Sequence, residues 1–190
     1  MSSSNLIRWG GIAALIAGVL YVLTGVMSLF APQEEVLDSF TDYLIEVLFV
    51  LALVGTLVAI ASLHVLQKER YGRLGAAGSL TAFVGYVLLL VAAATTILTG
   101  REALDIIFLL GSLVALVGLT LLGAMTLRAR VLPKWCGVLL IVGLPLTVFL
   151  DIVTGGGAGG ILLGVVWALV GYALLATRGG APAQQPSRVS

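Results

Sequence analysis

The sequence predicts an all-α integral membrane bundle of six transmembrane helices. Three observations carry this: the chain is 60% hydrophobic and only 10% charged, apolar stretches recur between short polar breaks, and cations and anions occupy alternate breaks. A mean hydropathy of +1.17 implies more apolar surface than one soluble core can bury. About 20 apolar residues let a helix cross hydrocarbon, so lipid is the expected solvent. No segment alternates apolar and polar residues as a barrel strand does, and backbone groups in hydrocarbon must pair within their own segment. Each span is therefore read as a helix.

In order, the spans are residues 6–30, 43–66, 74–98, 103–127, 135–153 and 161–177, forming one transmembrane domain over residues 1–178. The first is too long for a signal-peptide core of about 7–15 residues and lacks a small-x-small cleavage pattern. Before the second span, Pro32 opens a candidate surface helix, with Val36, Leu37 and Phe40 at helical spacing beside Glu34, Glu35 and Asp38. Pro145 is expected to kink the fifth span by freeing the carbonyl of Ile141. A glycine-rich turn, 155–160, joins it to the sixth; it has no Lys or Ser/Thr and is read as a flexible turn, not a phosphate loop. Residues 179–190 read as a disordered cytoplasmic tail.

Charge placement sets the expected orientation. Arg8, Lys68, Arg70, Arg73, Arg128, Arg130, Lys134, Arg178 and Arg188 share one side, with Arg101 alone opposite. Excess Lys/Arg marks the cytoplasmic face, which puts both termini inside. Of the acids only Glu69 joins them. Trp9, Tyr71 and Trp135 then fall at the inner interface, and Phe30, Phe40 and Tyr43 at the outer one.

Cation, large apolar residue and small residues open the odd spans at Arg8-Trp9-Gly10-Gly11, Arg73-Leu74-Gly75-Ala76 and Lys134-Trp135-Cys136-Gly137. Three helical hairpins repeated in parallel would produce this pattern; so would the need of every inward-starting span for a basic anchor. Small-residue ridges mark the expected helix contacts: Gly11, Ala14, Gly18 and Gly25 on the first span, Gly111 and Gly118 on the fourth, and Gly160, Gly164, Ala168 and Gly171 on the sixth.

The composition excludes much chemistry. A net charge of +1 offers no field for nucleic acid, and a single cysteine, Cys136, precludes an internal disulfide or dithiol relay. One histidine cannot build a multi-histidine metal site or a bis-histidine haem. No span carries regularly spaced arginines or a deep lysine. We therefore expect no metal and no cofactor.

What remains are shallow ionisable groups and a deeper belt of hydroxyls and aromatics. Glu46, Asp105 and Asp151 approach the outer rim of their spans. His64 follows Glu46 by 18 residues, five helical turns, so the two share a face about 27 Å apart. One reading makes the carboxylates a cation-attracting or proton-exchanging mouth with His64 as an inner acceptor. The other makes Thr99-Gly100-Arg101-Glu102 a capping box and the acids complements of helix dipoles. Tyr21 and Tyr86 each lie 13 residues beyond an opening cation, with Thr147 at the matching place, Ser112 and Thr120 on the fourth span and Trp167 midway along the sixth. These either line a ligand cavity or hydrogen-bond between helices.

The runs Arg8-Trp9-Gly10-Gly11-Ile12-Ala13-Ala14-Leu15 and Lys134-Trp135-Cys136-Gly137-Val138-Leu139-Leu140, with the glycine-rich outer turn, resemble small bacterial six-span membrane proteins of unknown function. The resemblance implies a bacterial plasma membrane and assigns no catalytic residue. The leading expectation is a bundle that binds or translocates a small or lipid-like molecule, with Glu46, Asp105, Asp151, Tyr21, Tyr86, Trp167 and His64 as ligand-contacting candidates. Its competitors are a membrane-embedded enzyme isomerising or cyclising a lipid by acid catalysis, and an accessory subunit. Expected partners are membrane lipid and either a second copy of the chain or another membrane protein.

Overall fold

The computed structural model describes residues 3–30, 37–100, 104–154 and 156–179. The candidate surface helix at Pro32, the Arg101-Glu102 part of the capping box and the tail beyond residue 179 lie outside the described residues. Six helices have membrane-crossing length and composition: α1 Asn5–Phe30, α2 Phe40–Arg70, α3 Gly72–Thr99, α4 Asp105–Ala129, α5 Lys134–Thr154 and α6 Ala158–Thr177. The described residues contain no strand.

Local chemistry explains where these helices begin and break. Ser39 caps α2: its hydroxyl accepts from the Asp42 backbone N–H at 3.2 Å, and the Asp42 carboxylate returns a bond from the Ser39 N–H at 3.0 Å. Helical backbone then runs to Thr99 with one interruption, Gly72, at φ +64° and ψ −160°. That conformation is essentially reserved for glycine, and a Cβ there would meet nothing within 4 Å. Backbone geometry, not crowding, therefore requires the glycine. The basic segment around Lys68, Arg70 and Arg73 is accordingly exposed helix, not an extended loop. Between α4 and α5 the chain turns at Arg130, in the left-handed region at φ 51°. Helix α5 continues through Pro145, which lies on its exposed side.

Packing follows the glycines. Gly11, Gly18 and Gly25 of α1 meet Gly171, Gly164 and Gly157 at α6 and its leading turn, so seven residues up one helix correspond to seven down the other. Helices α3 and α4 make a second antiparallel seam: Gly78 on Leu122, Ala82 on Gly118, Gly85 on Ala115 and Leu89 on Gly111. A seven-residue period keeps such a seam in register through a left-handed supercoil. Lipid supplies no hydrophobic drive between helices, so close backbone approach must supply the attraction. Helices α1–α2, α4–α5 and α5–α6 also pack antiparallel, through Gly10 on Ser62, Gly123 on Gly137 and Gly143 on Val166. The chain thus closes on itself, α6 against α1, and the start of α1 and the end of α6 share one end of the bundle.

That end carries Arg8, Lys68, Arg70, Arg73, Arg128, Arg130 and Lys134, all exposed; it is called here the basic end. Asp38, Asp42, Glu46, Asp105 and Asp151 lie toward the other, the acidic end. Between the ends every helix exposes large apolar side chains, such as Ile16, Leu51, Leu80, Leu113, Val142 and Val165. An apolar exterior around an apolar core is the pattern of a chain solvated by lipid. The protein is a multi-pass integral membrane protein.

The α1–α6 seam is directly testable. A Cβ at Gly18 would stand 2.6 Å from the Gly164 carbonyl and the Ala168 nitrogen, whereas one at Gly143 would stand 3.1 Å from a Val166 methyl. Backbone cannot yield as a side chain can. Gly18→Ala should therefore destabilise the bundle by about 1–3 kcal/mol in an SDS-unfolding titration. Gly143→Ala should cost less than half of that.

Candidate functional site

All six helices converge on a cavity of about 490 Å³ at the acidic end. Glu46 of α2, Asp105 of α4 and Asp151 of α5 line it together with Phe49 and Phe108. Thr24 and Ser28 of α1 and Ala93 and Thr96 of α3 complete the wall, and Gly156, Gly157 and Gly160 bring in the start of α6. The three carboxylates, more than 40 residues apart in sequence, thus meet at one opening. Phe49 and Phe108 meet at a tilt of 38° with centroids 6.4 Å apart, and Phe49 stands edge-on to Tyr21 at 5.9 Å.

The carboxylates are not equivalent. Asp105 is exposed as the first residue of α4, whose N-cap, Leu104, offers no side-chain bond. Asp151 is half-buried, and its Oδ1 accepts the Gly159 backbone N–H at 2.8 Å while its carbonyl accepts the Gly156 N–H at 2.9 Å. It therefore stitches the α5–α6 turn, where Gly156 and Gly157 hold φ of 113° and 85°. Glu46 is half-buried on the inward side of α2.

Below the cavity lies a polar layer. Tyr21, Thr56, Tyr86 and Trp167 are each no more than 1% exposed. Each follows or precedes a cavity-lining residue of its own helix by seven positions: Ser28 above Tyr21, Phe49 above Thr56, Ala93 above Tyr86 and Gly160 above Trp167. Seven residues are two helical turns, so each faces the same side as that lining residue, about 10 Å deeper along its own helix. The Thr56 hydroxyl reaches the Tyr21 hydroxyl at 3.4 Å. Tyr86 and Trp167 pack edge to face with centroids 6.1 Å apart. The Tyr86 hydroxyl and the Trp167 indole nitrogen stand close enough to interact with each other, without a well-formed hydrogen bond to any described residue.

The candidates read from the sequence divide accordingly. Glu46, Asp105 and Asp151 come together in the cavity, and Tyr21, Tyr86 and Trp167 in the layer beneath it. His64 is half-buried toward the basic end of α2 and does not line the cavity. Thr147, Ser112 and Thr120 donate to carbonyls one turn back on their own helices, at 2.8–2.9 Å. Three features were not anticipated. Gln67 is fully buried and accepts from the Thr126 hydroxyl at 3.1 Å, joining α2 to α4 near the basic end. Thr56 joins the polar layer. Ser39 and Asp42 form the cap of α2, which the Ser-x-x-Asp spacing before an apolar run could have signalled.

The chain matches no protein-family model, and no curated protein or solved structure shows significant similarity to it. The site must be read from its own geometry.

That geometry makes Asp151 a cap as well as a wall. Asp151→Ala should cost about 1 kcal/mol of stability, the usual loss when a capping acceptor is removed. Asp151→Asn keeps an acceptor oxygen and should retain most of that stability. Amide exchange at Gly159 reports the difference, rising in the alanine variant and little in the asparagine one.

Proposed function

We propose that this protein lies in a bacterial plasma membrane with both termini cytoplasmic and binds, or carries across, a small or lipid-like molecule held in the acidic-end cavity. The cavity is the observation that supports this most. Its volume of about 490 Å³ is in the range of small-molecule sites, typically about 300–1,000 Å³. Its composition matches that class too: aromatic and small apolar walls with a few carboxylates and hydroxyls. The orientation rests on the cations, because Lys/Arg excess marks the cytoplasmic face and the basic end carries both chain ends.

Binding is favoured over acid catalysis by the bonding of Asp151. A carboxylate that accepts a backbone N–H and holds a turn is occupied as an acceptor. A catalytic acid would need its proton directed at substrate. The accessory-subunit reading has no comparable observation behind it, since the small-residue ridges on α1, α4 and α6 are already filled by neighbouring helices.

Filling the cavity tests the proposal. Ala93→Phe places a ring into the wall from α3. Mass spectrometry of protein purified into nanodiscs should find at least one small molecule retained by the wild type and reduced about tenfold in the variant, at unchanged helical content. Equal retention, or none in either, overturns the cavity as the site. For the orientation, Arg70→Cys in a Cys136→Ala background should react with an impermeant maleimide only from the cytoplasmic side. Asp38→Cys should react only from outside.

A further inference from the structure

The acidic-end cavity is one-sided in its hydrogen-bond chemistry. Glu46, Asp105 and Asp151 in its wall are acceptors when ionised. The hydroxyls of Thr24 and Thr96 donate their protons to the carbonyls of Tyr21 and Ala92 on their own helices, at 2.9 and 3.2 Å, so only lone pairs remain for a ligand. Ser28 adds a hydroxyl that can do either. No lysine, arginine, histidine, asparagine or glutamine lines the cavity among the described residues. At the start of α6 the N–H groups of Gly156, Gly159 and Ile161 are already taken by Asp151 and the Gly157 carbonyl, which removes donors that a helix start would offer an anion.

Charge points the same way. Arg101 is the one Lys or Arg in the three connections at this end, α1 to α2, α3 to α4 and α5 to α6, so it offsets at most one of the three negative charges. Attraction to a cation acts over distance and does not require the carboxylates to converge on one point. They do not form a metal-ligand group: among the described residues no three acidic, histidine or cysteine side chains are placed to hold a metal ion. They share the wall instead with the rings of Phe49 and Phe108, which meet at 6.4 Å, and an aromatic face attracts an organic ammonium through its quadrupole. Ala92, Ala93 and Gly160 leave room beside the rings for an apolar body.

We infer that the acidic-end cavity selects a protonated lipophilic amine, its N–H groups donating to the wall carboxylates and threonine oxygens and its apolar body lying against Phe49 and Phe108. A neutral lipid would leave the carboxylate charge unanswered, and an anion would be repelled. This rests on the cavity as the binding site and adds to it the charge and donor character of the ligand.

The test uses full-length protein in phosphatidylcholine nanodiscs and three probes of one shape: 1-adamantylamine, 1-adamantanol and 1-adamantanecarboxylate. At about pH 7 only the amine, like a lysine side chain, is a cation. Equilibrium dialysis, with empty nanodiscs subtracted, measures retention by the protein. The amine should be held saturably and at least tenfold more tightly than the alcohol, and the carboxylate not at all. Glu46→Gln combined with Asp105→Asn should weaken the amine about tenfold and leave the alcohol within twofold. Asp38→Asn, at an exposed acid outside the cavity wall, should change neither. Amine and alcohol held alike, a carboxylate held as well as the amine, no probe held at all, or a double variant within twofold of its parent for the amine overturns the ligand class. Should the double variant lose the alcohol as well, Asp105→Asn alone, at an exposed position, decides: it should weaken the amine at least threefold and spare the alcohol, and equal loss of both overturns the inference. Ala93→Phe separates this from the cavity reading. If it depletes the retained molecule while the probes show no preference for the cation, the cavity stands and the ligand class falls; if it depletes nothing, the cavity reading itself has failed.

Discussion

The bundle depends on the close approach of α1 and α6. Gly11, Gly18 and Gly25 lie against Gly171, Gly164 and Gly157 without a side chain between them, so the backbones themselves make the contact. In lipid this is the main attraction available to apolar helices, because burial against another helix removes no water. It joins the first and last helices of the chain. Without it, the five remaining connections would form an open row. The seam also fixes relative depth: with Gly18 at Gly164, Tyr21 is level with Ile161 and Trp167 with Leu15, so their backbones stand about 9 Å apart in depth.

Hydrogen-bond accounting sorts the polar residues of the interior into two groups. Thr120, Thr147, Ser79 and Ser112 return their hydroxyl protons to a carbonyl one turn back, whereas Thr126 reaches both the Leu122 carbonyl and Gln67 of α2. Such residues narrow a helix and cost little in hydrocarbon. Tyr21, Thr56, Tyr86 and Trp167 instead have side chains that meet across the bundle, Thr56 with Tyr21 and Tyr86 with Trp167. The bonding pattern therefore separates polar residues that serve packing from those that mark an interior surface. Sequence position alone could not have done so.

Much of the fold was legible because lipid imposes simple rules. Apolar length located the helices, and the glycine spacings on α1, α4 and α6 pointed to the seams that the structure forms. The depth of Tyr21 and Tyr86 was also readable, by counting from Arg8 and Arg73. What escaped depends on contacts between helices not adjacent in the chain. Phe49 meets Phe108, and Gln67 meets Thr126, because α2 and α4 run parallel at a constant offset of 59 residues. No hairpin pattern reveals that offset. Gln67 fell just outside the expected second span, residues 43–66, yet α2 continues as helix to Arg70 and carries Gln67 into the core. The capping bond of Asp151 was hidden because its partner, Gly159, lies eight residues on, across a turn whose path is set by two glycines at positive φ.

The same glycines that make the seam also make the site. Gly25, Gly157 and Gly160 belong to the α1–α6 contact and line the cavity at its top. Toward the basic end the two helices continue through Gly18 and Gly11, where other side chains fill the interior around them. At the acidic end the cavity wall sets small residues, Ser28, Gly160, Ala92 and Ala93, beside the rings of Phe49 and Phe108. The small residues of α1, α3 and α6 leave space there that larger side chains would occupy. Helix packing and the cavity draw on one physical feature, the missing Cβ atoms of the seam. A variant that enlarges Gly160 would therefore alter the cavity and strain the α1–α6 contact together, whereas Ala93, on α3, lines the cavity outside that seam.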